Sequence, residues 1–165
     1  MKHSFLVRLA ATLFLLSFAG LLVLTVLGLG TIARLSTDLL ADGLERTALG
    51  LAPAVPADGR ADTLRRSVAA AAARVSARVT VIAPDGTVIA DSEQDPAGMD
   101  NHAGRPEILA AARGRTGKAV RFSRTLGAPM LYVAVPLETA RPSAVLRLSI
   151  CNRQIAGLLA PLRVR

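Results

Sequence analysis

An uninterrupted run without a single charged side chain, residues 9–33, is the feature that most constrains this chain. As a helix, these 25 residues are about 37 Å long, enough to cross a bilayer core of about 30 Å. Only a helix satisfies its own backbone hydrogen bonds in lipid. The run therefore predicts a transmembrane helix, flanked by Arg8 and Arg34. A cleaved signal peptide is the main alternative, but its apolar region is usually only about 7–15 residues long; a buried core helix is the third.

The charges around this run indicate an orientation. Lys2 and Arg8 precede it and all twelve acidic residues follow it, which favours a cytoplasmic segment 1–8 by the positive-inside rule. Arg34 argues weakly the other way. The sequence thus predicts a protein of the cell membrane whose region after residue 34 is extracytoplasmic.

Composition excludes several classes of protein. The chain has 165 residues and one cysteine, so an intrachain disulfide and a cysteine-based zinc site are both excluded. The net charge of +8 comes from arginines spread along the chain, and there is no tryptophan. That pattern argues against nucleic acid as a partner. It indicates a solvated face, or contact with anionic membrane lipids, cell-wall polymer or a partner subunit.

The remaining segments predict a mixed domain over residues 34–150. The leucines of 34–50 continue helical spacing directly after the membrane run. Residues 51–59 predict a loop, 61–77 a second helix and 105–114 a short third helix, since Pro106 suits a first turn and Gly114 a stop. We expect residues 151–165 to form a C-terminal helix. Five segments have strand character: 78–84, 87–92, 117–126, 129–138 and 143–150.

This element order predicts an α+β fold with a five-stranded antiparallel sheet and helices on one side. The first two strands are joined by Pro84-Asp85-Gly86, a strong hairpin signal. An N-terminal transmembrane helix followed by such a domain resembles the plan of extracytoplasmic sensor domains of the PAS or single-Cache kind.

Short motifs sharpen this expectation. Residues 78–149 contain, in order, Asp85-Gly86, Asp91-Ser92, Asn101-His102, Arg105-Pro106-Glu107-Ile108, Arg121, Ser123, Tyr132-x-Ala134-x-Pro136 and Arg147. With these motifs the sequence resembles the sensor region of membrane-bound sensor histidine kinases of the phosphate-regulon and cell-wall-stress type.

The resemblance implies a homodimeric receptor that signals through its membrane helices to a response regulator. The family's HAMP linker, phospho-acceptor histidine helix and ATP-binding motifs are not found in these residues. The chain therefore carries no catalytic motif. The resemblance implies the sensor end of a histidine kinase, either as an N-terminal fragment or as a truncated reading frame.

Four residues are candidates for ligand binding: His102, Arg105, Arg121 and Tyr132. Guanidinium groups bind carboxylates and phosphates well, and Arg105 opens the short helix, so a small anion is the expected ligand. The competing interpretation is structural: Arg105 pairs with Glu107, or an arginine with an aspartate, to fix the loop to the sheet. Tyr132 is by default a core residue with a tethered hydroxyl.

Two other chemistries have weak support. A hydrolase would need Ser92, His102 and Asp91, but Ser92 lies in no nucleophile-elbow motif. A metal site would need His102 with Asp91, Asp95 and Asp100, whose spacing is unlike that of a calcium loop. We therefore predict no metal and no cofactor.

The functional prediction is the signal-sensing, membrane-anchored input domain of a two-component sensor histidine kinase. Two alternatives remain open: a stand-alone membrane-anchored binding or scaffold protein, and a sensor with a chemotaxis or cyclic-dinucleotide output.

Overall fold

The computed structural model describes residues 2–56, 60–123, 128–137 and 144–151, with side chains from Leu6 onward. These residues form three α-helices and five strands, with short 3-10 turns at Ala52–Ala54 and Pro96–Gly98. The helices are α1 (Lys2–Leu51), α2 (Ala61–Val75) and α3 (Pro106–Ala112). The strands are β1 (Arg78–Ile82), β2 (Val88–Asp91), β3 (Gly117–Ser123), β4 (Ala128–Leu137) and β5 (Ala144–Cys151).

Helix α1 includes both the uncharged run and the leucine-rich segment after it, as the sequence predicts. Among the described residues, one helical stretch, Leu6–Ala54, is long and apolar enough to cross a membrane, and its most apolar window is not buried. The chain divides into two compact units, Met1–Ser36 and Thr37–Arg165. The second unit contains all five strands and is called the sheet domain below.

All strand pairs in the sheet domain are antiparallel, in the order β2-β1-β5-β4-β3. The last strand in sequence, β5, therefore lies at the centre, between β1 and β4. Its register with β1 places Arg147 opposite Thr80, and its register with β4 places the same residue opposite Ala134. Because side chains alternate between faces along a strand, these registers decide which residues share a face.

One face of the sheet is apolar and is covered by α2 and the end of α1. Leu64, Val68 and Ala71 of α2 are buried in this core, as their helical spacing predicts. Lys118 of β3 adds a polar contact at the edge, because its ammonium lies 2.7 Å from Asp42 and 2.6 Å from Glu45 of α1. These contacts lower the pKa of both carboxyl groups and raise the pKa of Lys118.

The opposite face is covered in part by α3, so the prediction of helices on one side is wrong. Ile108 and Ala111 of α3 form a second core with Ile82, Ala134 and Val145. The physical reason is that the central strands β1 and β5 present apolar side chains on both faces, and the second apolar patch also needs cover. The rest of this face, beyond α3, is polar.

The β1–β2 turn forms where predicted and also holds the loop that follows. Gly86 has a φ of +87°, a conformation that L side chains rarely adopt. Its carbonyl accepts the backbone N–H of His102 at 2.8 Å, and the Asn101 side chain donates to the carbonyl of Asp85 at 2.9 Å. The hairpin turn thus fixes the position of His102.

The structure describes only the first residue of the predicted C-terminal helix, residues 151–165. Cys151, expected to begin a helix, is the last residue of β5. The rest of the predicted 151–165 helix lies outside the described residues.

Candidate functional site

The polar half of the sheet's second face forms a cleft of about 370 Å³. Strand alternation explains its composition, because Arg78, Arg121, Tyr132, Arg147 and Ser149 all fall on this face of four adjacent strands. The loop before α3 closes one side of the cleft with His102 and Arg105.

All four residues singled out from the sequence line this cleft: His102, Arg105, Arg121 and Tyr132. They come from three separate elements, so the fold brings together what the sequence separates by 30 residues. Tyr132 is half-buried in the cleft wall. The guanidinium carbon of Arg121 lies 4.3 Å from its ring centroid and that of Arg147 lies 5.3 Å away, both within the range of a cation–π contact.

Sequence reasoning missed the residue at the bottom of the cleft. Arg147 lies on the central strand and its side chain is only 5% exposed. Its Nη2 donates to the Thr80 hydroxyl at 3.2 Å, and its Nη1 lies 3.9 Å from Oε1 of Glu107. Burial lowers the pKa of Arg147 to about 10, so it is still charged at neutral pH. The alternation of Arg147 and Ser149 with leucines was visible, but the central place of β5 was not.

Glu107 was also missed as a site residue. Its side chain is fully buried, and its Oε1 accepts the Arg121 Nη2 at 2.6 Å. The expected structural pairing of Glu107 therefore exists in the described part of the chain, but with Arg121 of β3 rather than with Arg105. This ion pair ties α3 to the edge of the sheet and orients Arg121 along the cleft wall.

A second ion pair supports the other side of the cleft. The Arg78 Nε donates to both carboxylate oxygens of Asp91 at 3.0 Å, and the Thr80 hydroxyl donates to the same carboxylate at 2.7 Å. Thr80 in turn accepts from Arg147. A chain of hydrogen bonds, Asp91–Thr80–Arg147, thus positions the deepest arginine.

The residues named for the two weaker chemistries have other partners. Asp91 is engaged by Arg78 and Thr80 and by the backbone N–H groups of Glu93 and Gln94. The Ser92 hydroxyl accepts the backbone N–H of Val79. Neither residue is bonded to His102, so the described residues do not assemble the hydrolase triad. Within those residues, no group of three His, Cys, Asp or Glu side chains is close enough to hold a metal ion.

The cleft concentrates unsatisfied polar atoms. Within the described part of the chain, five buried side-chain atoms have no hydrogen-bond partner. Each buried polar atom without a partner lowers the free energy of unfolding by about 1–3 kcal/mol. All five lie in or directly behind the cleft: His102 Nδ1, Glu107 Oε2, Arg121 Nε, Arg147 Nε and Ser149 Oγ.

The imidazole of His102 can donate or accept a hydrogen bond in the cleft as a neutral group. Burial lowers its pKa, and the charges of Arg147 and then Arg105 lower it further. The neutral imidazole therefore adds no charge to the cleft at neutral pH. What the arrangement offers a ligand is a set of buried guanidinium groups beside an aromatic ring.

The chain matches no protein-family model and no curated protein. Its fold is similar to that of sensory domains of known structure, among them the following three. The V. cholerae histidine kinase DctB sensor domain has a TM-score of 0.51 and 18% identity, covering 76% of this chain and 52% of that one. The ligand-binding domain of the Campylobacter jejuni chemoreceptor Tlp3, in complex with 4-methylisoleucine, has a TM-score of 0.60 and 9% identity. The match covers 80% of this chain and 59% of the Tlp3 domain. The E. coli DcuS sensor domain has a TM-score of 0.50 and 17% identity, and the match covers 72% of this chain and 99% of the DcuS domain.

The predicted PAS/Cache-like α+β fold is confirmed by these similarities. The five-stranded antiparallel sheet with flanking helices is shared with sensor domains of histidine kinases and with ligand-binding domains of chemoreceptors. The chain spans 52% and 59% of the DctB and Tlp3 domains. The phosphate-regulon and cell-wall-stress subtype stays a prediction.

Proposed function

We propose that this chain is the ligand-sensing input of a membrane-anchored receptor, and that the arginine-lined cleft binds a small anion. The observation that carries the proposal is Arg147, a charged side chain almost completely buried at the bottom of the cleft, with its Nε unpartnered among the described residues. A buried charge without a full counter-charge is costly. An anion in the cleft would supply that counter-charge, in a fold that known sensor domains share.

The chemistry of the cleft suits a carboxylate. Guanidinium groups bind carboxylates through short, charge-assisted hydrogen bonds, and Arg147 on β5 and Arg121 on β3 lie on the two strands that flank Tyr132 of β4. Met99, Met130 and Tyr132 add apolar surface to the same cleft. A small organic acid could therefore place its carboxylate on Arg147 and its carbon chain on these side chains.

Replacing Arg147 with methionine is expected to weaken anion binding about 10-fold to 100-fold, the equivalent of one charge-assisted hydrogen bond. The measurement is isothermal titration calorimetry of the full chain in detergent micelles with sodium butyrate, at constant ionic strength. Arg65→Met is the matched control, because Arg65 is exposed on α2, which packs on the other face of the sheet. Equal butyrate affinity in the wild type and Arg147→Met would remove the basis of the proposal.

For the output, we propose a histidine kinase acting on a response regulator. The support is the resemblance of residues 78–149 to kinase sensor regions, together with the fold that the chain shares with the sensor domain of the histidine kinase DctB. The coding DNA beyond codon 165 tests this part: a second hydrophobic run and a phospho-acceptor histidine helix support it. A chemotaxis or cyclic-dinucleotide module there would replace the kinase and leave the input role unchanged.

For location, we propose that α1 anchors the protein in the cell membrane with the sheet domain outside the cytoplasm. The support is the exposed apolar surface of α1 from Leu6 to Ile32 together with Lys2 and Arg8 on its N-terminal side. Two copies pairing along residues 34–50 would suit this location, because Leu35, Leu39 and Leu49 are exposed there. That homodimer stays a prediction, and sedimentation of the full chain in detergent tests it.

Cys151 offers a direct test of the orientation, because it is the only cysteine and is exposed. A membrane-impermeant maleimide is expected to label Cys151 in intact spheroplasts. The matched control carries Ser4→Cys in a Cys151→Ser background and should be labelled only after lysis. Labelling of Ser4→Cys but not of Cys151 in intact spheroplasts would reverse the proposed orientation.

A further inference from the structure

The charges at the bottom of the cleft are not balanced. Three arginines, Arg78, Arg121 and Arg147, face two fully buried carboxylates, those of Asp91 and Glu107. Asp91 is bonded to Arg78 through both oxygens at 3.0 Å, and Glu107 to Arg121 at 2.6 Å. One positive charge therefore remains at the bottom of the cleft.

That remaining charge is on Arg147. Its nearest carboxylate oxygen, on Glu107, is 3.9 Å away and is already bonded to Arg121. Its one hydrogen bond among the described residues goes to a neutral hydroxyl, that of Thr80. Burial lowers the pKa of Arg147 to about 10, which shows the cost of keeping this cation out of water, but leaves it protonated at neutral pH.

The outer part of the cleft has the opposite balance. The exposed acids Glu93 and Asp100 line this part together with the half-buried cation Arg105, and Oε2 of Glu93 lies 3.8 Å from Nη1 of Arg78, which Asp91 already neutralises. His102 contributes no charge at neutral pH, since burial and the neighbouring arginines lower its pKa. A ligand's first negative charge is thus attracted to Arg147, whereas a second would meet a surplus of carboxylates.

We infer that Glu107 is a built-in counter-anion that sets the charge of the ligand at one, so that the cleft selects monocarboxylates over dicarboxylates. Glu107 neutralises Arg121 from behind the cleft wall and leaves Arg147, at the bottom of the cleft, without a carboxylate of its own among the described residues. Without the Glu107 charge, two arginines on either side of Tyr132 would be free to hold two carboxylates. This inference rests on the proposed anion-binding function and identifies the ligand class.

Butyrate and succinate test the inference, because both have four carbons and differ by one carboxylate. The full chain in detergent micelles at neutral pH is expected to bind butyrate at least about 10-fold more tightly than succinate by isothermal titration calorimetry. Glu107→Gln, which keeps the side-chain shape, is expected to raise succinate affinity relative to butyrate by at least about 10-fold. Glu107→Gln combined with Arg121→Gln restores a single surplus charge and should restore the preference for butyrate.

Near-ultraviolet circular dichroism of Tyr132, the only tyrosine, reports whether each variant keeps the cleft. If Glu107→Gln does not fold, the variant Arg121→Gln is used instead. In Arg121→Gln the Glu107 carboxylate neutralises Arg147 directly, so the affinity for butyrate and for succinate should each fall about 10-fold or more. An unchanged succinate-to-butyrate ratio in Glu107→Gln, or unchanged affinities in Arg121→Gln, would overturn the inference. Binding that does not depend on Arg147 would instead overturn the proposed function, so the two failures are distinguishable.

Discussion

Replacing Asp91 with alanine is expected to lower the free energy of unfolding by about 3 kcal/mol, because removing one partner of a buried ion pair leaves the other uncompensated. The Asp91 side chain is fully buried, and it accepts hydrogen bonds from the Arg78 guanidinium, the Thr80 hydroxyl and two backbone N–H groups. The variant would leave Arg78 without its bidentate partner and would release Thr80 from the position in which it accepts from Arg147.

The measurement is urea denaturation of the full chain in detergent micelles, followed by the near-ultraviolet circular dichroism of Tyr132. Asp62→Ala is the control, because Asp62 is exposed in the first turn of α2 and its loss should cost no more than about 0.5 kcal/mol. A cost for Asp91→Ala as small as that of the control would show that the Arg78–Asp91 pair does not support the cleft.

Replacing Gly117 with valine is expected to destabilise the sheet domain by at least about 2 kcal/mol, in the range of overpacked cores. Gly117 begins β3, and a Cβ atom at this position would collide with the backbone of Glu107 on α3. Because backbone cannot move aside as a flexible side chain does, α3 would have to shift away from the sheet. The shift would separate Glu107 from Arg121, so butyrate selectivity should fall together with stability.

Gly104→Ala provides the matched control, since a Cβ atom there would have no neighbour within 4 Å. Its effect on the free energy of unfolding should stay within about 0.5 kcal/mol. The same urea denaturation applies to both variants. If Gly117→Val were as stable as Gly104→Ala, the close contact between β3 and α3 would not be a constraint on the fold.

The order and type of the elements could be predicted because each leaves a local signal. The uncharged run, the Pro84-Asp85-Gly86 turn and the spacing of Leu64, Val68 and Ala71 all depend on residues near one another in the chain. The helices on both faces could not be predicted in the same way. They depend on β5 being central, which only the pairing of distant strands decides.

The residues of the candidate site also differ in whether they could be predicted from local sequence. Arg105 was predicted from its place before the short helix, His102 and Arg121 as its neighbours, and Tyr132 as the only tyrosine. The fold brings all four to one cleft. The roles of Arg147 and Glu107 could not be inferred, because burial is not visible in the sequence. A glutamate in the first turn of a short helix is usually solvated; here it is buried by the contact of α3 with β3 and β4.

The central claim is that Arg147 receives an anion in the cleft, and its Nε–H group can be observed directly. In the full chain with isotope-labelled arginine, the Arg147 Nε–H resonance is identified by its loss in Arg147→Lys. The account predicts that sodium butyrate shifts this resonance in a saturable way, while sodium chloride at equal ionic strength does not. A resonance that stays in place at saturating butyrate, or moves equally with chloride, would contradict it.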